Sequence, residues 1–214
     1  MPRPTHPDRE LDRAGRAPSR RHRPLPVVNG PLARWAVLLD APVDPRAQDL
    51  RRSRRECVRQ FDQGAEAGAF KLNETLNSEC LLLGRVTYEG FARTWPHERG
   101  ELADKLNSMP KYVVSSTLQD PSWTNTTVLS GDLAEHVAEL TAGTKGDVVV
   151  HGSATLVHAL LDKGLVDELR LMVFPTILGY GRKLFGQTSA PVTLQLVSAT
   201  PLGPDGVLLL IYRR

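Results

Sequence analysis

From Phe61 to the carboxyl terminus, hydrophobic positions repeat with two different periods that alternate along the chain. In some segments apolar residues recur every three to four positions, which is the spacing of one helix face. Other segments are short, continuous apolar runs of the kind found in buried strands. The helical spacing predicts helices over residues 65–76, 86–94, 98–108, 132–140 and 153–161. The apolar runs predict strands over residues 80–83, 112–115, 127–129, 148–151 and 168–174.

The chain closes with two β-rich runs, 192–199 and 207–212, separated by residues 201–206. That separating segment contains Asp205-Gly206, and Asp-Gly is a strong signal for a hairpin turn. Strands that alternate with helices predict a mainly parallel sheet covered on both faces, to which the hairpin adds an antiparallel edge. The predicted fold class is therefore α/β.

The first sixty residues follow a different pattern. Residues 1–31 are rich in Pro and Arg and lack apolar periodicity, so we expect a disordered basic tail. The run Trp35–Leu39 predicts a first strand, and residues 46–59, which hold six arginines, predict a surface loop. The domain is expected over residues 32–214, with its first part, up to residue 60, unlike the rest. Because all its basic residues are arginines, this amino-terminal part is interpreted as an upstream extension or the product of a shifted reading frame.

The net charge of +3 is unevenly distributed. Residues 1–60 carry 14 arginines and 7 acidic residues, whereas residues 61–214 carry 13 basic and 17 acidic residues. The basic tail lacks the interleaved aromatic residues of nucleic-acid-binding segments, so no specific nucleic-acid partner is expected. No apolar run approaches the roughly 20 residues of a membrane span, and the amino terminus lacks the apolar centre of a secretory signal. We therefore expect a cytoplasmic protein without a membrane partner.

The two cysteines, Cys57 and Cys80, have neither CxxC spacing nor a neighbouring histidine pair. They are predicted to be unpaired structural thiols, and no metal site is expected. A thiol redox function for this pair is a less favoured alternative.

Three predicted strand-to-helix junctions carry candidate chemistry, because helix N-termini at the carboxyl ends of parallel strands present N–H groups to anions. Residues 84–87 combine a glycine, a guanidinium and a hydroxyl, residues 115–117 are three hydroxyl residues, and residues 152–155 begin with Gly-Ser. Each signal is weak alone, since a Gly-Arg pair at a helix start is common and hydroxyl residues also suit an ordinary turn. His151, just before the third junction, is interpreted as a structural residue rather than an acid or base.

The junctions lie in order within three longer stretches, LLLGRVTYEGFARTWP, NSMPKYVVSSTL and VVVHGSATLVHALLDKGLVDELRLMVFPTILGYGRKLFG. Together these stretches resemble the stand-alone dihydrofolate-reductase-like family that shares the C-terminal reductase domain (RibD C-terminal domain) of the bacterial riboflavin-biosynthesis deaminase/reductase. The resemblance extends from Phe61 to the end of the chain. It implies a dihydrofolate-reductase-like, three-layer α/β/α fold, and a homodimer is expected at the level of the family.

The resemblance also implies an NADPH-dependent reductase. The substrate would be a pterin- or pyrimidine-like heterocycle or a ribosylaminopyrimidine, as for 5-amino-6-(5-phosphoribosylamino)uracil reductase. Gly84, Arg85 and Thr87 would lie near the cofactor phosphates, and Ser115 and Ser116 near the adenosine 2′-phosphate. The pyrophosphate would rest on the third junction, formed by Gly152, Ser153, Ala154, Thr155 and Leu156, with residues 179–181 shaping a nearby turn.

The end of the first strand departs from the family pattern. The family usually has Ser-Leu-Asp-Gly there, whereas this chain has Leu38-Leu39-Asp40-Ala41. Leu38 lacks the hydroxyl, and Ala41 cannot adopt positive φ cheaply. Asp40 is the candidate catalytic or proton-relay residue, with a simple turn aspartate as the alternative. The departure also keeps open a second function, a catalytically impaired nucleotide-binding module of the same fold.

The helix predicted over residues 65–76 faces the substrate in this family. Its polar residues Glu66, Asn73 and Glu74 are nevertheless expected to belong to a solvated helix face. The zinc deaminase signature is absent, so the chain is not expected to be the complete bifunctional enzyme.

Overall fold

The structure is a computed structural model that describes residues 35–39, 60–177, 184–185 and 188–214, the first of these ranges by its backbone. The predictions for the tail 1–31, the loop 46–59, the turn 179–181, Asp40 and Cys57 lie outside the described residues.

One sheet of eight strands forms the centre of the described part. The strands are β1 (Trp35–Leu39), β2 (Ser78–Gly84), β3 (Lys111–Val114), β4 (Thr126–Leu129), β5 (Asp147–His151), β6 (Glu168–Val173), β7 (Gln195–Leu202) and β8 (Val207–Arg213). Their order is β4-β3-β2-β5-β1-β6-β8-β7. The strands from β4 to β6 in this order run parallel, while β8 is antiparallel to both β6 and β7. The predicted mainly parallel sheet with a closing antiparallel hairpin is confirmed.

The five predicted helices are confirmed, with shifted ends. They are α1 (Gly64–Asn77), α2 (Arg85–Thr94), α3 (Glu101–Ser108), α4 (Leu133–Gly143) and α5 (Ala154–Asp162). The start of α4 is fixed locally, because the Asp132 carboxylate accepts hydrogen bonds from the N–H groups of Ala134 and Glu135. Its predicted end at residue 140 is three residues short.

The helices cover both faces of the sheet. Val148 and Val150 of β5 pack on one side with apolar residues of α4 and α5, such as Val137 and Val157. Val149 points to the other side and packs against α2 and α3, for example against Leu106. A second apolar cluster on this side joins α1 to β6 and β8. The three-layer α/β/α arrangement is therefore confirmed, and full burial of each of these side chains stabilises the fold by about 1.5–3 kcal/mol.

Two predicted boundaries are wrong for identifiable reasons. The helix predicted to begin at residue 98 begins at 101, because Trp95–His97 forms a short 3-10 turn and Gly100 takes a φ of 109° just before α3. The strand predicted over 192–199 spans Gln195–Leu202 and continues through Pro201. Proline is tolerated there because β7 is the edge strand of the sheet.

The predicted first strand is confirmed, and its position is central. β1 lies between β5 and β6 and pairs with both in parallel. The segment 35–39 is thus an integral part of the sheet, which corrects, for these five residues, the interpretation of the amino-terminal part as an upstream extension or the product of a shifted reading frame. Within the described ranges, no helix has the length and apolar character needed to cross a bilayer.

Candidate functional site

The three candidate junctions lie at the same edge of the sheet. Gly84, at the end of β2, is in register with Val114 of β3, directly before Ser115. Leu82 of β2 is in register with Val150 of β5, which brings the ends of these strands side by side. Because the strands are parallel, the helices that follow them, α2 and α5, begin at this edge, where sheets of this type bind ligands.

Two hydrogen bonds join the first and third junctions. The Gly84 N–H donates to Ser153 Oγ over 2.9 Å, and the Ser153 N–H donates to Thr87 Oγ1 over 3.2 Å. Both hydroxyl oxygens act as acceptors here, so the hydroxyl hydrogen of each remains able to donate to a bound group. The sequence predicted that these backbone amides would face a phosphate, but the bonds show that the Gly84 and Ser153 N–H groups hold the site together.

The turn before α5 has an uncommon backbone. Gly152 and Ser153 both have positive φ, 62° and 55°. A non-glycine residue in the left-handed region costs on the order of 1 kcal/mol, and such residues concentrate at functional sites. A Cβ on Gly152 would lie 3.6 Å from Thr87 Cγ2, an ordinary contact, so it is the φ angle that favours glycine.

Neither α2 nor α5 has a side-chain cap on its first-turn N–H groups. Such groups carry the positive end of the helix dipole, which attracts anions. Within α5, Ala154 and Leu156 are buried and Thr155 is exposed, so the first turn presents its amides rather than bulky side chains. The described arrangement therefore suits a phosphate group.

Arg85 lies at the start of α2 and is exposed. Its guanidinium forms an ion pair with Glu89 at 2.7 Å, with 44% and 37% of the two side chains exposed. An exposed pair of this i, i+4 type contributes only about 0.3–0.5 kcal/mol, so Arg85 can exchange its partner for an anionic ligand at little cost.

Ser115 and Ser116 differ in their surroundings. Ser115 Oγ accepts hydrogen bonds from the N–H groups of Thr117 and Leu118, at 3.1 and 3.0 Å. This bonding is typical of a Ser-initiated turn, so Ser115 orders the loop after β3. Ser116 is exposed.

A buried ionic network lies on the sheet face that carries α1, and the sequence reasoning missed it. Arg170 Nη1 is 2.8 Å from Glu74 Oε1, and Arg170 Nε is 2.6 Å from Glu168 Oε1. Arg213 Nε is 2.7 Å from the second oxygen of Glu168. Burial raises the pKa of Glu168, but the two guanidinium groups outweigh it and hold that pKa below its ordinary value. We call Glu74, Glu168, Arg170 and Arg213 the central ionic network.

The prediction of a solvated Glu74 is wrong, since only 6% of the residue is exposed. Glu66 and Asn73 are exposed, as expected. The sequence signal for the network is in β6, where Glu168 and Arg170 alternate with apolar residues in a strand that the parallel-sheet pattern places in the interior. His151 also reaches the network, with its Nε2 3.5 Å from Glu74 Oε2.

Cys80 is a buried free thiol on β2. Burial raises its pKa to about 11, with the nearby Glu79 carboxylate acting in the same direction. This agrees with a structural thiol and argues against a reactive one.

A surface pocket lies beside α2, the helix that follows the first junction. It is a depression of about 230 Å³ between α2 and the loop 118–122, lined by Tyr88, Glu89, Ala92, Arg93, Leu118, Asp120, Pro121 and Ser122. None of the ten predicted cofactor-binding residues lines it.

Comparison with known proteins agrees with this architecture. The RibD C-terminal domain family model matches residues 43–208. The uncharacterized protein YyaP of Bacillus subtilis is 27% identical over 139 residues, which cover 63% of this chain and 73% of that protein.

Solved structures share the fold. A putative riboflavin biosynthesis protein from Shewanella sp. PV-4 is 18% identical, with a TM-score of 0.58, over 85% of this chain and 98% of that one. RibD of Acinetobacter baumannii is 15% identical, with a TM-score of 0.55, over 85% of this chain and 58% of that one. A pyrimidine reductase-like protein from Corynebacterium diphtheriae is 14% identical, with a TM-score of 0.52, over 86% of this chain and 91% of that one. The family match over most of the chain, together with the sheet order and the three junctions, shows that this protein belongs to the RibD C-terminal domain family and has its reductase-type fold.

Proposed function

We propose that this protein is an NADPH-dependent reductase of a small heterocycle, either pterin- or pyrimidine-like or a ribosylaminopyrimidine. The observation that carries the proposal is the pair of hydrogen bonds that joins Gly84, Ser153 and Thr87 at two helix N-termini. Two of its structural relatives, a putative riboflavin biosynthesis protein and a pyrimidine reductase-like protein, support this substrate class.

The residues at this edge fit a phosphorylated dinucleotide. Two helix N-termini without side-chain caps, two hydroxyl hydrogens and an exposed guanidinium meet at neighbouring strand ends. All of these groups donate hydrogen bonds, as an anion requires. The residues that would hold the pyrophosphate and the adjoining phosphates are Gly84, Arg85, Thr87, Gly152, Ser153, Ala154, Thr155 and Leu156.

Ser116, with Ser115 ordering its loop, would hold the adenosine 2′-phosphate, which favours NADPH over NADH. When bound, NADPH supplies a hydride for reduction of a C=N or C=O bond. The protein's own residues then have to orient the two reactants and supply a proton. Asp40, outside the described residues, stays a candidate for that second task.

Binding measurements on two matched threonine variants test the cofactor site. Thr87 and Thr94 lie at opposite ends of α2, and Thr94 donates only to the Gly90 carbonyl. Thr87→Val removes both the acceptor for Ser153 and the outward donor, so it should weaken NADPH binding about 10-fold to 100-fold, since a hydrogen bond to a charged group contributes about 1.5–3 kcal/mol. Thr94→Val should leave the affinity, measured by calorimetry, within about twofold of the wild type. Equal affinities in the two variants would contradict the site.

Turnover separates the reductase from a catalytically impaired nucleotide-binding module. Purified protein is mixed with NADPH and with pterin, deaminated pyrimidine-ribose and quinone acceptors, and the absorbance of the reduced nicotinamide is followed. Loss of absorbance supports the reductase, whereas binding without loss supports the module. The homodimer and the cytoplasmic location stay predictions.

A further inference from the structure

His151 and the central ionic network lie on one face of the sheet, at its centre. His151 of β5 and Arg170 of β6 are both in register with Leu38 of β1, the strand between them. Residues in register on neighbouring parallel strands point to the same face, so His151 and Arg170 share a row across β1. Glu168 lies two residues before Arg170 and occupies the same face.

Glu74 approaches this row from α1. Its Oε1 is held by Arg170 at 2.8 Å, and its Oε2 is 3.5 Å from His151 Nε2. Only 1% of the Glu74 side chain is exposed, and among the described residues Oε2 makes no hydrogen bond. A buried carboxylate oxygen without a hydrogen-bond donor is costly, and an imidazole N–H at this position would supply one.

The four described charges of the central ionic network balance one another. The carboxylates of Glu74 and Glu168 are balanced by the guanidinium groups of Arg170 and Arg213. These four groups come from α1, β6 and β8, and from α2 the Phe91 ring packs edge-on to His151 at 6.5 Å. Protonation of His151 would place the new positive charge directly opposite Glu74 Oε2.

The backbone of His151 leads directly into the turn before α5, where the proposed pyrophosphate would bind. Gly152 and Ser153 follow it, and its side chain contacts both α1 and α2, which lie on the same face of the sheet. The ring is 14% exposed while the Glu74 carboxylate is closed off, so a ligand can reach the imidazole but not the carboxylate.

We propose that His151 donates the proton that completes the reduction and that Glu74, held by Arg170, is the positioning residue that orients and stabilises its imidazolium form. The inference rests on the proposed reductase function. It assigns to the described part of the chain the proton-donor role for which the sequence offered Asp40.

The step balances with NADPH as the reductant. A hydride adds to the carbon of the C=N or C=O bond, and the π electron pair moves to the nitrogen or oxygen. That atom takes a proton from the His151 imidazolium, and the cofactor leaves in its oxidised form. The imidazole remains neutral, with its other N–H directed to Glu74, and recovers a proton from water.

The first test needs no activity. The imidazole signals of the free protein are titrated by NMR, and the His151 signal is assigned by its absence in His151→Gln. Glu74→Gln should lower the midpoint of the His151 titration by about one pH unit, because a carboxylate within about 4–6 Å favours the charged imidazole. The control His97→Gln, at an exposed histidine of the 3-10 turn, should leave that midpoint unchanged. If Glu74→Gln does not fold, Glu74→Asp withdraws the carboxylate while keeping its charge and should lower the midpoint by less. An unchanged midpoint overturns the assignment.

The second test follows hydride transfer in a single turnover across the pH range. The wild-type rate should fall as the pH rises through the His151 midpoint. His151→Gln should be slower by at least about 100-fold and should lose this pH dependence, while its affinity for NADPH stays within about threefold. A His151→Gln rate within about threefold of the wild type, with intact NADPH binding, overturns the donor role alone. Absence of NADPH binding by the wild-type protein overturns the reductase function and the donor role together.

Discussion

Replacement of Arg170 by methionine tests how strongly the fold depends on the central ionic network. Arg170 is the only group of the described network that contacts both carboxylates, with 2.8 Å to Glu74 and 2.6 Å to Glu168. Methionine has a similar length and preserves much of the packing, so the variant removes mainly the charge and the hydrogen bonds.

The expected loss of stability follows from the burial of the two carboxylates. Only 1% of the Glu74 side chain and 4% of the Glu168 side chain are exposed. Removing one partner of a buried ion pair typically destabilises a protein by about 3–5 kcal/mol, because a buried charge is left uncompensated. Glu168 keeps Arg213 as a partner, whereas among the described residues Glu74 keeps only the approach of His151, so most of the loss is expected at Glu74.

Urea denaturation at pH 7 measures the free energy of unfolding, and Arg85→Met is the matched control. The Arg85 pair with Glu89 is exposed, so this control should lose no more than about 0.5 kcal/mol. The pH dependence adds a second check. In the native protein the pKa of Glu168 is lowered from 4.5, so its contribution to stability is present above that value and is lost as the pH falls below it. In Arg170→Met the stranded carboxylates take up protons readily, so the difference from the wild type should shrink between pH 7 and pH 4. A loss below about 1 kcal/mol at pH 7, or a difference that grows on acidification, would refute the reasoning.

Three further predictions concern other parts of the fold. Glu89→Gln releases Arg85 and removes a negative charge beside the first junction, so calorimetry should show NADPH binding tighter by about twofold to fivefold. Weaker binding would contradict the role of Arg85. Burial raises the pKa of Cys80 to about 11, so its thiol should resist thiol reagents at pH 8 until urea unfolds the protein. The contribution of Cys80 to stability should be lost as the pH rises above 9. Rapid labelling of Cys80 in the native protein would contradict this prediction. Lys111→Met should destabilise the protein by about 3 kcal/mol in the same urea assay, because the fully buried Lys111 ammonium donates to the carbonyls of Leu106, Asn107 and Met109. An unchanged midpoint of urea unfolding would show that water replaces the ammonium group.

Local signals in the sequence were sufficient to predict the helices and strands and the order of the three junctions along the chain. Asp132 starts α4 through bonds from the N–H groups of Ala134 and Glu135, two and three residues further along the chain. The apolar runs of β2 and β5 need only their own composition to be recognised. Boundaries were missed where a neighbouring element decided them. Pro201 continues β7 because that strand lies at the sheet edge, and the sequence of β7 alone does not contain this information.

The contacts that build the candidate site join residues far apart in the chain. Gly84 bonds Ser153 across 69 positions, and Arg170 bonds Glu74 across 96. A helix-face pattern places Glu74 on α1 but cannot say which strand lies beneath it, so its burial became visible only with the strand order. By itself, the sequence determined the α/β class, the succession of elements and the residue types at the sheet edge, because these depend on local periodicity and composition. Only the tertiary structure decided which amides hold the site together and that His151 faces a buried carboxylate, because hydrogen bonding and burial depend on which strands become neighbours.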